Sequence, residues 1–475
     1  MATINEQLSA SGIAQVIVVL KSPPAAPVAA LRRSGGMTLD ATADYTPHLA
    51  GLESCFECSD LSINHALARA GMRNVAAIKA GRTTARTAKR TTAPAALHFP
   101  NLGLMLGTVT RDGLSTLRKD ERVHKVVSAP QPRLIRPVRS APAKLTAQVT
   151  WGIKFLNIPK LWDQGLTGKG IRIAHLDTGV DGKHPALRTA IASFAEFDSF
   201  GQIVTPTLKP HDTDDHGTHT AATIAGRAVR GKSVGVAPDS DLVSAIVIEG
   251  GNVIARLLGG MDWAVSQNVR ILNMSVGIPL SPPMAEFDPI LQTLRARNIL
   301  PVIAVGNEGP GTSRTPSNNT QPLSVGAIDK NKAVADFSCS QRFVRTDNPL
   351  VPDLVAPGVD ILSAQPGGGY QLKDGSSMAT PHVAGLAALL FQALPNATIS
   401  DVQNAIYNSC TAEGIPPERG NRGFPDAVRA LAALTGTVVG AATTKSAKAA
   451  PASTSKSGAT KAKKSKKSIK KRSQQ

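Results

Sequence analysis

From residue 171 onward, continuous apolar runs at 171–176, 242–248, 271–276 and 300–305 alternate with stretches of helical periodicity at 218–226, 253–267 and 285–297. A strand that is apolar on both faces must be covered on both faces, and helices between successive strands supply the cover. The pattern therefore predicts an α/β architecture: a parallel sheet with helices on each side. In such sheets the loops leaving the strands' carboxyl ends converge on one crevice. The residues just behind each strand are the candidates for chemistry.

Behind the first of these strands stand Asp177, Thr178 and Gly179. Further on come Asp215, His216, Gly217, Thr218 and His219 at the start of a helical stretch, and behind the strand at 300–305 come Gly306, Asn307, Glu308 and Gly309. The most constraining segment runs from Asp374 to Leu386, where small residues crowd the pair Ser376-Ser377 ahead of the apolar run 383–391. That run reads as a buried helix, so the serines sit near its N-terminus, where free N–H groups and the positive end of the dipole favour a developing oxyanion. A serine alone is a weak nucleophile and needs a histidine base with an orienting carboxylate. His216 and Asp177 supply those types, and the Asn307 amide is a donor of the kind an oxyanion hole uses. Each residue also has a bland reading. An aspartate ahead of glycine at a strand end, or an asparagine in a loop, often only shapes a turn. His216 and His219, three apart on a helix, could hold a metal, but no third ligand stands at a customary spacing.

The chain order Asp177, His216, Ser377 is the order in subtilisin. The segments HLDTGVDGKHP, DDHGTHTAATIAG, NMSVG, AVGNEG, VAPG and DGSSMATPHVAGLAALL together resemble the subtilisin-like serine peptidases over roughly residues 147–435. The resemblance implies a seven-stranded parallel sheet in a three-layer fold and a serine endopeptidase of broad specificity acting on polypeptides, with no cofactor. It makes Ser377 the nucleophile, His216 the general base and then acid, Asp177 the group that orients the imidazole, and Asn307 the oxyanion donor. It also makes Ser275, Val276 and Gly277 one edge of the substrate cleft and Gly250 and Gly251 the opposite edge, with the peptide lying between them as an added strand. Many relatives hold calcium near the HP dipeptide and in the loop after the histidine helix. Here those places read His184-Pro185-Ala186 and Arg227 to Lys232, basic and poor in oxygen ligands, so no metal is expected there.

Ahead of this region, strands at 16–20, 102–109 and 123–128 and a helix at 111–120 suggest a small α+β unit over 1–136 that resembles the propeptide of the same family. The resemblance implies an intramolecular inhibitor and a zymogen that processes itself. A long insertion at about 24–97 departs from the pattern and reads as irregular. Cys55 and Cys58 within it form an isolated CxxC, without the second pair that would make a zinc site specific. Pro, Ala and Ser at 137–149 read as a linker and the maturation site, which places autocleavage between about 141 and 149. The peptidase region then spans 150–435.

Charge is concentrated at the end. The net charge is +19, and residues 436–475 hold eleven Lys and Arg with no acid, leaving 42 basic against 34 acidic residues in the body. Such a tail cannot bury enough apolar surface to fold and is expected to bind polyanions, nucleic acid first, without sequence preference. The alternative reading is therefore a nucleic-acid-associated protein in which proteolysis is accessory. No apolar run is long enough to span a membrane, and the first twenty residues lack a basic start, so a cytoplasmic location is expected.

Overall fold

The computed structural model describes residues 3–21, 45, 49, 51–57, 95–204, 209–248, 252–279 and 282–437. Most of the insertion at 24–97, Cys58, Gly250, Gly251 and the basic tail beyond residue 437 lie outside the described residues. Met1–Thr437 form one compact unit.

The chain opens with helix α1 (Ile4–Ser11), started by a reciprocal pair of bonds in which Thr3 Oγ1 accepts from the Glu6 N–H and the Glu6 carboxylate accepts from the Thr3 N–H. Strands β1 (Ala14–Leu20), β2 (Ala96–Phe99) and β3 (Leu104–Val109), helix α2 (Arg111–Lys119) and strand β4 (Val123–Ser128) follow. The strands form an antiparallel sheet in the order β2-β3-β1-β4. Every strand and the helix expected here from sequence is present. Helix α1 and strand β2 carry little sequence signal, because one is short and mixed in composition and the other is four residues at the end of a stretch that reads as irregular.

Period-two alternation divides the side chains of β1. Val16, Val18 and Leu20 pack with Ile4, Leu8, Leu114 and Leu117, while Ile17 and Val19 face the other way into a second cluster. That second cluster is shared with the larger part of the chain. Thus β1 is covered on both faces, which explains why it reads as unbroken apolar sequence.

Two short strands, β5 (Arg133–Leu134) and β6 (Arg139–Ala143), precede the helices α3 (Trp151–Phe155) and α4 (Pro159–Trp162). Then come β7 (Arg172–Asp177), β8 (Ile191–Glu196), α5 (His216–Ala225), β9 (Asp241–Ile246), α6 (Val253–Ser266), β10 (Ile271–Met274), β11 (Val276–Gly277), α7 (Asp288–Ala296), β12 (Leu300–Ala304) and β13 (Leu323–Ile328). A two-stranded ribbon, β14 (Gln341–Arg342) and β15 (Leu350–Val351), leads to β16 (Leu354–Pro357), β17 (Ile361–Gln365), β18 (Gly369–Asp374) and the long helix α8 (Ser376–Ala393).

Seven of these strands form a parallel sheet in the order β16-β13-β12-β10-β7-β9-β8. After β7 the chain crosses to the edge strand β8 and returns through β9, and from β10 it builds on the other side, so strand order reverses between β7 and β10. Asp177 ends β7, at that switch point. Apolar side chains of α5 and α8 form one core with one face of the sheet, and those of α6 and α7 form a second core with the other face and with the N-terminal sheet. This is the layered α/β arrangement that the alternation of strands and helices dictates.

The contact between the N-terminal sheet and α6 is also polar. The Asp262 carboxylate accepts from the Asn101 N–H at 2.7 Å, the Leu102 N–H at 3.1 Å and the Asn101 side-chain amide at 3.0 Å. Burial pushes the Asp262 carboxyl up to about 6 in spite of those donors.

The stretch expected to be a linker is different. Arg139–Ala143 form an edge strand antiparallel to β18, the Val138 N–H donates to the Asp374 carbonyl at 2.9 Å, and the Arg139 guanidinium pairs with Asp374 and Asp360. Nothing in the composition of RSAPA favours a strand. The exposed edge of β18 makes it one.

The helix bearing His216 approaches the end of β7 very closely. A Cβ added at Gly217 would lie 2.0 Å from the Gly179 carbonyl oxygen, where neither backbone can yield. Gly217→Ala is therefore expected to force α5 off the sheet at a cost of about 1–3 kcal/mol, lowering the melting temperature by several degrees. A thermal melt unchanged from wild type would show that the junction has room for a methyl group.

Candidate active site

Asp177 and His216 meet in a fully buried junction. The His216 Nδ1–H points at Asp177 Oδ1 across 2.7 Å, the Thr178 N–H donates to the same oxygen at 2.7 Å, and the Thr220 hydroxyl donates to Oδ2 at 3.1 Å. Burial alone would raise the Asp177 carboxyl, but the His216 imidazole and these donors outweigh it and hold the group below its ordinary range. With Nδ1 so engaged, the other ring nitrogen is left to do chemistry. His216 Nε2 is buried and has no hydrogen-bond partner among the described residues.

A carboxylate without any motif around it fixes the start of α5. Asp212 accepts from the Thr218 N–H at 2.7 Å, the Thr218 hydroxyl at 2.6 Å and the Thr178 hydroxyl at 2.8 Å, tying the helix to the residue after Asp177. Two more aspartates stand close to it in sequence, and nothing in that run marks which one turns inward.

Ser377 is the second residue of α8 and is wholly buried. Its hydroxyl donates to the carbonyl of Ile135 at 2.8 Å. Asn307, beside it, accepts at Oδ1 from the Ser376 N–H and the Ser376 hydroxyl, both at 2.9 Å. Because an N–H can only donate, this fixes the orientation of the amide and turns Nδ2 outward. Nδ2 donates to the carbonyl of Arg136 at 2.9 Å.

A segment of the chain itself thus lies across the site. Leu134 and Arg133 pair antiparallel with Val276 and Gly277, and the Ile135 N–H donates to the Ser275 carbonyl at 2.9 Å. Ser275, Val276 and Gly277, singled out from sequence as one edge of a peptide cleft, hold an extended peptide in this way; Gly250 and Gly251 lie outside the described residues. Past Ser377 the segment continues into β6 on β18. Arg136 pairs with Asp214 at 3.0 Å, and Lys373 with Asp215 at 2.6 Å. Although burial pushes Asp214 up, the Asp215 N–H and the Arg136 guanidinium hold it well below the carboxylate range. The only sequence signal for this segment is the apolar pair Leu134-Ile135 between Pro132 and Pro137.

A second serine, histidine and aspartate also lie close together. His175 Nδ1 is 3.0 Å from Ser244 Oγ, and its Nε2 is 2.9 Å from Thr220 Oγ1 and 3.8 Å from Asp177 Oδ2. Here both ring nitrogens are occupied, the serine and histidine stand on adjacent strands inside the sheet, and burial pushes the imidazole down to about 4. With its Nε2–H given to Thr220, His175 accepts at Nδ1 from the Ser244 hydroxyl, but Ser244 is wholly buried inside the sheet, where no substrate carbonyl can reach it. What it does is orient Thr220, which in turn donates to Asp177.

His219, the second histidine of the helix, donates from Nε2 to the Ile361 carbonyl at 2.9 Å, and burial pushes it down to about 3. Among the described residues no group of three or more His, Cys, Asp or Glu is placed to hold a metal. In the loop after the histidine helix, the Arg227 guanidinium occupies a cluster of carbonyls: Ser240 at 2.7 Å, Thr189 at 3.1 Å, Ala225 at 3.3 Å, and Pro238. Lys232 Nζ donates to the Leu145 carbonyl at 2.8 Å. Side-chain cations fill this loop.

Residues 168–428 match the subtilase family. A thermostable alkaline protease of Halalkalibacterium halodurans is 34% identical over 68% of this chain and 82% of its own length. Subtilisin Savinase of Lederbergia lenta is 35% identical over 56% of this chain and 93% of its own. An intracellular serine protease of Paenibacillus polymyxa is 38% identical over 53% of this chain and 75% of its own.

The buried histidine behind the site carries a pH signature. The folded His175 titrates at about 4, whereas an unfolded histidine titrates near 6.5. Between those values the unfolded chain binds a proton that the folded chain refuses, so stability falls with falling pH by about 1.4 kcal/mol per unit from this residue. His175→Gln keeps hydrogen-bonding capacity toward Ser244 and Thr220 but does not titrate. Denaturant unfolding between pH 6.5 and 4.5 should show a slope shallower than wild type by about that amount; parallel slopes would mean that His175 is protonated in the fold.

Proposed function

This chain belongs to the subtilase family and is a subtilisin-like serine endopeptidase, and on that premise we propose that Ser377, His216 and Asp177 carry the reaction and that the protein is made as a self-inhibited zymogen. The observation that supports this most directly is the convergence of the Ser377 hydroxyl and the Asn307 amide on adjacent carbonyls of one extended peptide pinned to β11.

In the productive complex the Ser377 oxygen attacks a peptide carbonyl while its proton passes to His216 Nε2. Asp177 holds the ring with Nδ1–H inward and stabilises the imidazolium that forms. The Asn307 amide, already oriented by Ser376, stabilises the oxyanion. His216 then returns the proton to the leaving amine, and water enters by the reverse sequence to release the acid from Ser377. The site binds its polypeptide substrate as an added strand, so recognition rests largely on backbone and admits many sequences.

The resting arrangement is not this one. Ser377 donates to Ile135 O, while Asn307 holds the next carbonyl, that of Arg136. Nucleophile and oxyanion donor therefore address different peptide bonds, and neither bond has both. This supports the N-terminal part as an intramolecular inhibitor that occupies the cleft without being cut. Turning the Ile135 carbonyl onto Asn307, with the pairing to β11 kept, would make Ile135–Arg136 the scissile bond. The residues at 141–149, expected from composition to contain the cut, begin in the β6 strand on β18, beyond the nucleophile.

Ser377→Ala and His216→Ala should each abolish hydrolysis of a peptide anilide and labelling by a fluorophosphonate. Asn307→Ala should lower turnover by about 10²–10³-fold, the range established for removing one oxyanion donor in subtilisin. Terminal sequencing of the active wild type should find a new N-terminus at Arg136, absent from Ser377→Ala. Full activity in an uncleaved chain would overturn the zymogen reading, and activity in Ser377→Ala would overturn the mechanism.

A further inference from the structure

Arg314 is a charged side chain buried next to the cleft, with 9% of its surface exposed, and no step of the reaction uses it. Its stem passes between two glycines. A Cβ on Gly277 would lie 3.0 Å from Arg314 Cβ, and one on Gly306 would lie 3.0 Å from Arg314 Cγ. Gly277 belongs to β11, which holds the peptide, and Gly306 precedes the oxyanion donor Asn307. A single side chain thus runs from the peptide-binding edge to the oxyanion loop.

Its guanidinium has two sets of partners. Nε donates to the Glu308 carboxylate at 3.0 and 3.2 Å, with a further bond from NH2, and Glu308 Oε2 accepts in turn from the Asn307 N–H at 3.1 Å. NH1 lies among three carbonyl oxygens, those of Leu134 at 3.3 Å, Gly277 at 3.4 Å and Arg133 at 3.5 Å. Two of the three belong to the peptide in the cleft. Each contact is long, so no one of them is strong, but a guanidinium keeps its charge at any working pH and attracts all three carbonyl dipoles at once in a site with little water.

We propose that Arg314 is a substrate-positioning residue: it holds the backbone carbonyls of the two residues that precede the residue on the acyl side of the cut. The proposal rests on reading the β5–β11 pairing as the way substrate binds. Ile135, whose N–H is bonded to Ser275 and whose carbonyl meets Ser377, stands in for the residue on the acyl side of the cut. Leu134 and Arg133 then stand in for the two before it. Because the contacts are to main-chain oxygens, Arg314 selects for chain length on that side and not for side chains. The ligand class is a peptide extending at least three residues ahead of the scissile bond, as opposed to a dipeptide or a simple ester.

The test compares processed wild type with Arg314→Ala and Arg314→Lys, each normalised by fluorophosphonate titration of Ser377. The substrates are an acylated tetrapeptide anilide, an anilide of the same last residue alone, and p-nitrophenyl acetate. Arg314→Ala should lower kcat/KM on the tetrapeptide about tenfold, mostly through KM, while acetate ester hydrolysis stays within about twofold, so that the advantage of long over short substrate shrinks about tenfold. Arg314→Lys, which keeps the charge but loses the fork, should fall between. A synthetic peptide of residues 129–135 should inhibit Arg314→Ala about tenfold less well than wild type. An unchanged length advantage, or an equal loss on all three substrates, would overturn the proposal, the second by showing that Arg314 only supports the oxyanion loop. Wild type inactive on every substrate would instead overturn the peptidase reading beneath it.

Discussion

The bond between Asp177 and His216 is what the remainder of the site depends on. At 2.7 Å, and shut away from water, it can exist only if the end of β7 and the start of α5 are brought together with almost no space between them. Glycine at 217 permits the approach, Asp212 ties the helix to the turn after Asp177, and Thr220, itself held by His175, satisfies the second carboxylate oxygen from behind. A buried carboxylate without these donors would be costly in the ionised form that a base-orienting group needs. The junction is therefore the reason why His175 and Thr220 are found buried behind the carboxylate.

On the other side of the cleft, backbone pairing does the equivalent work. The edge of β11 and the edge of β18 are both open to another strand, and the chain's own residues 133–143 fill both. An unpaired edge is a template for any extended peptide, which is hazardous in general and useful in an enzyme that must accept many sequences. In this structure the segment sets the Ile135 carbonyl against the Ser377 hydroxyl and the Arg136 carbonyl against the Asn307 amide. The N-terminal sheet, packed against α6 and α7 in a shared apolar core, keeps that segment in place.

Arg227 and Lys232 solve a different problem. Arg227 donates to the Thr189 and Ser240 carbonyls and Lys232 to that of Leu145, which ties the loop after α5 to neighbouring segments.

Much of the fold and site was legible in the sequence. The periodicity that separates strand from helix is local, so the layered parallel sheet could be read from the sequence, whereas the roles proposed for Asp177, His216, Asn307, Ser377 and the Ser275–Gly277 edge rest on residue types, their order and the resemblance to the family. Tertiary structure decided the rest. The Ser377 hydroxyl meets the carbonyl of Ile135 across 242 residues of chain, and Asn307 meets Arg136 across 171. Which carbonyl faces which donor depends on the register of two strand pairings, and register is not written in RSAPA or in Arg133-Leu134. The same holds for Asp212, which sequence cannot tell from Asp214 and Asp215, and for Arg314, which in sequence is one more basic residue in a loop. Sequence determines what a side chain can do by its chemistry, whereas only the folded backbone sets what lies within 3 Å of it.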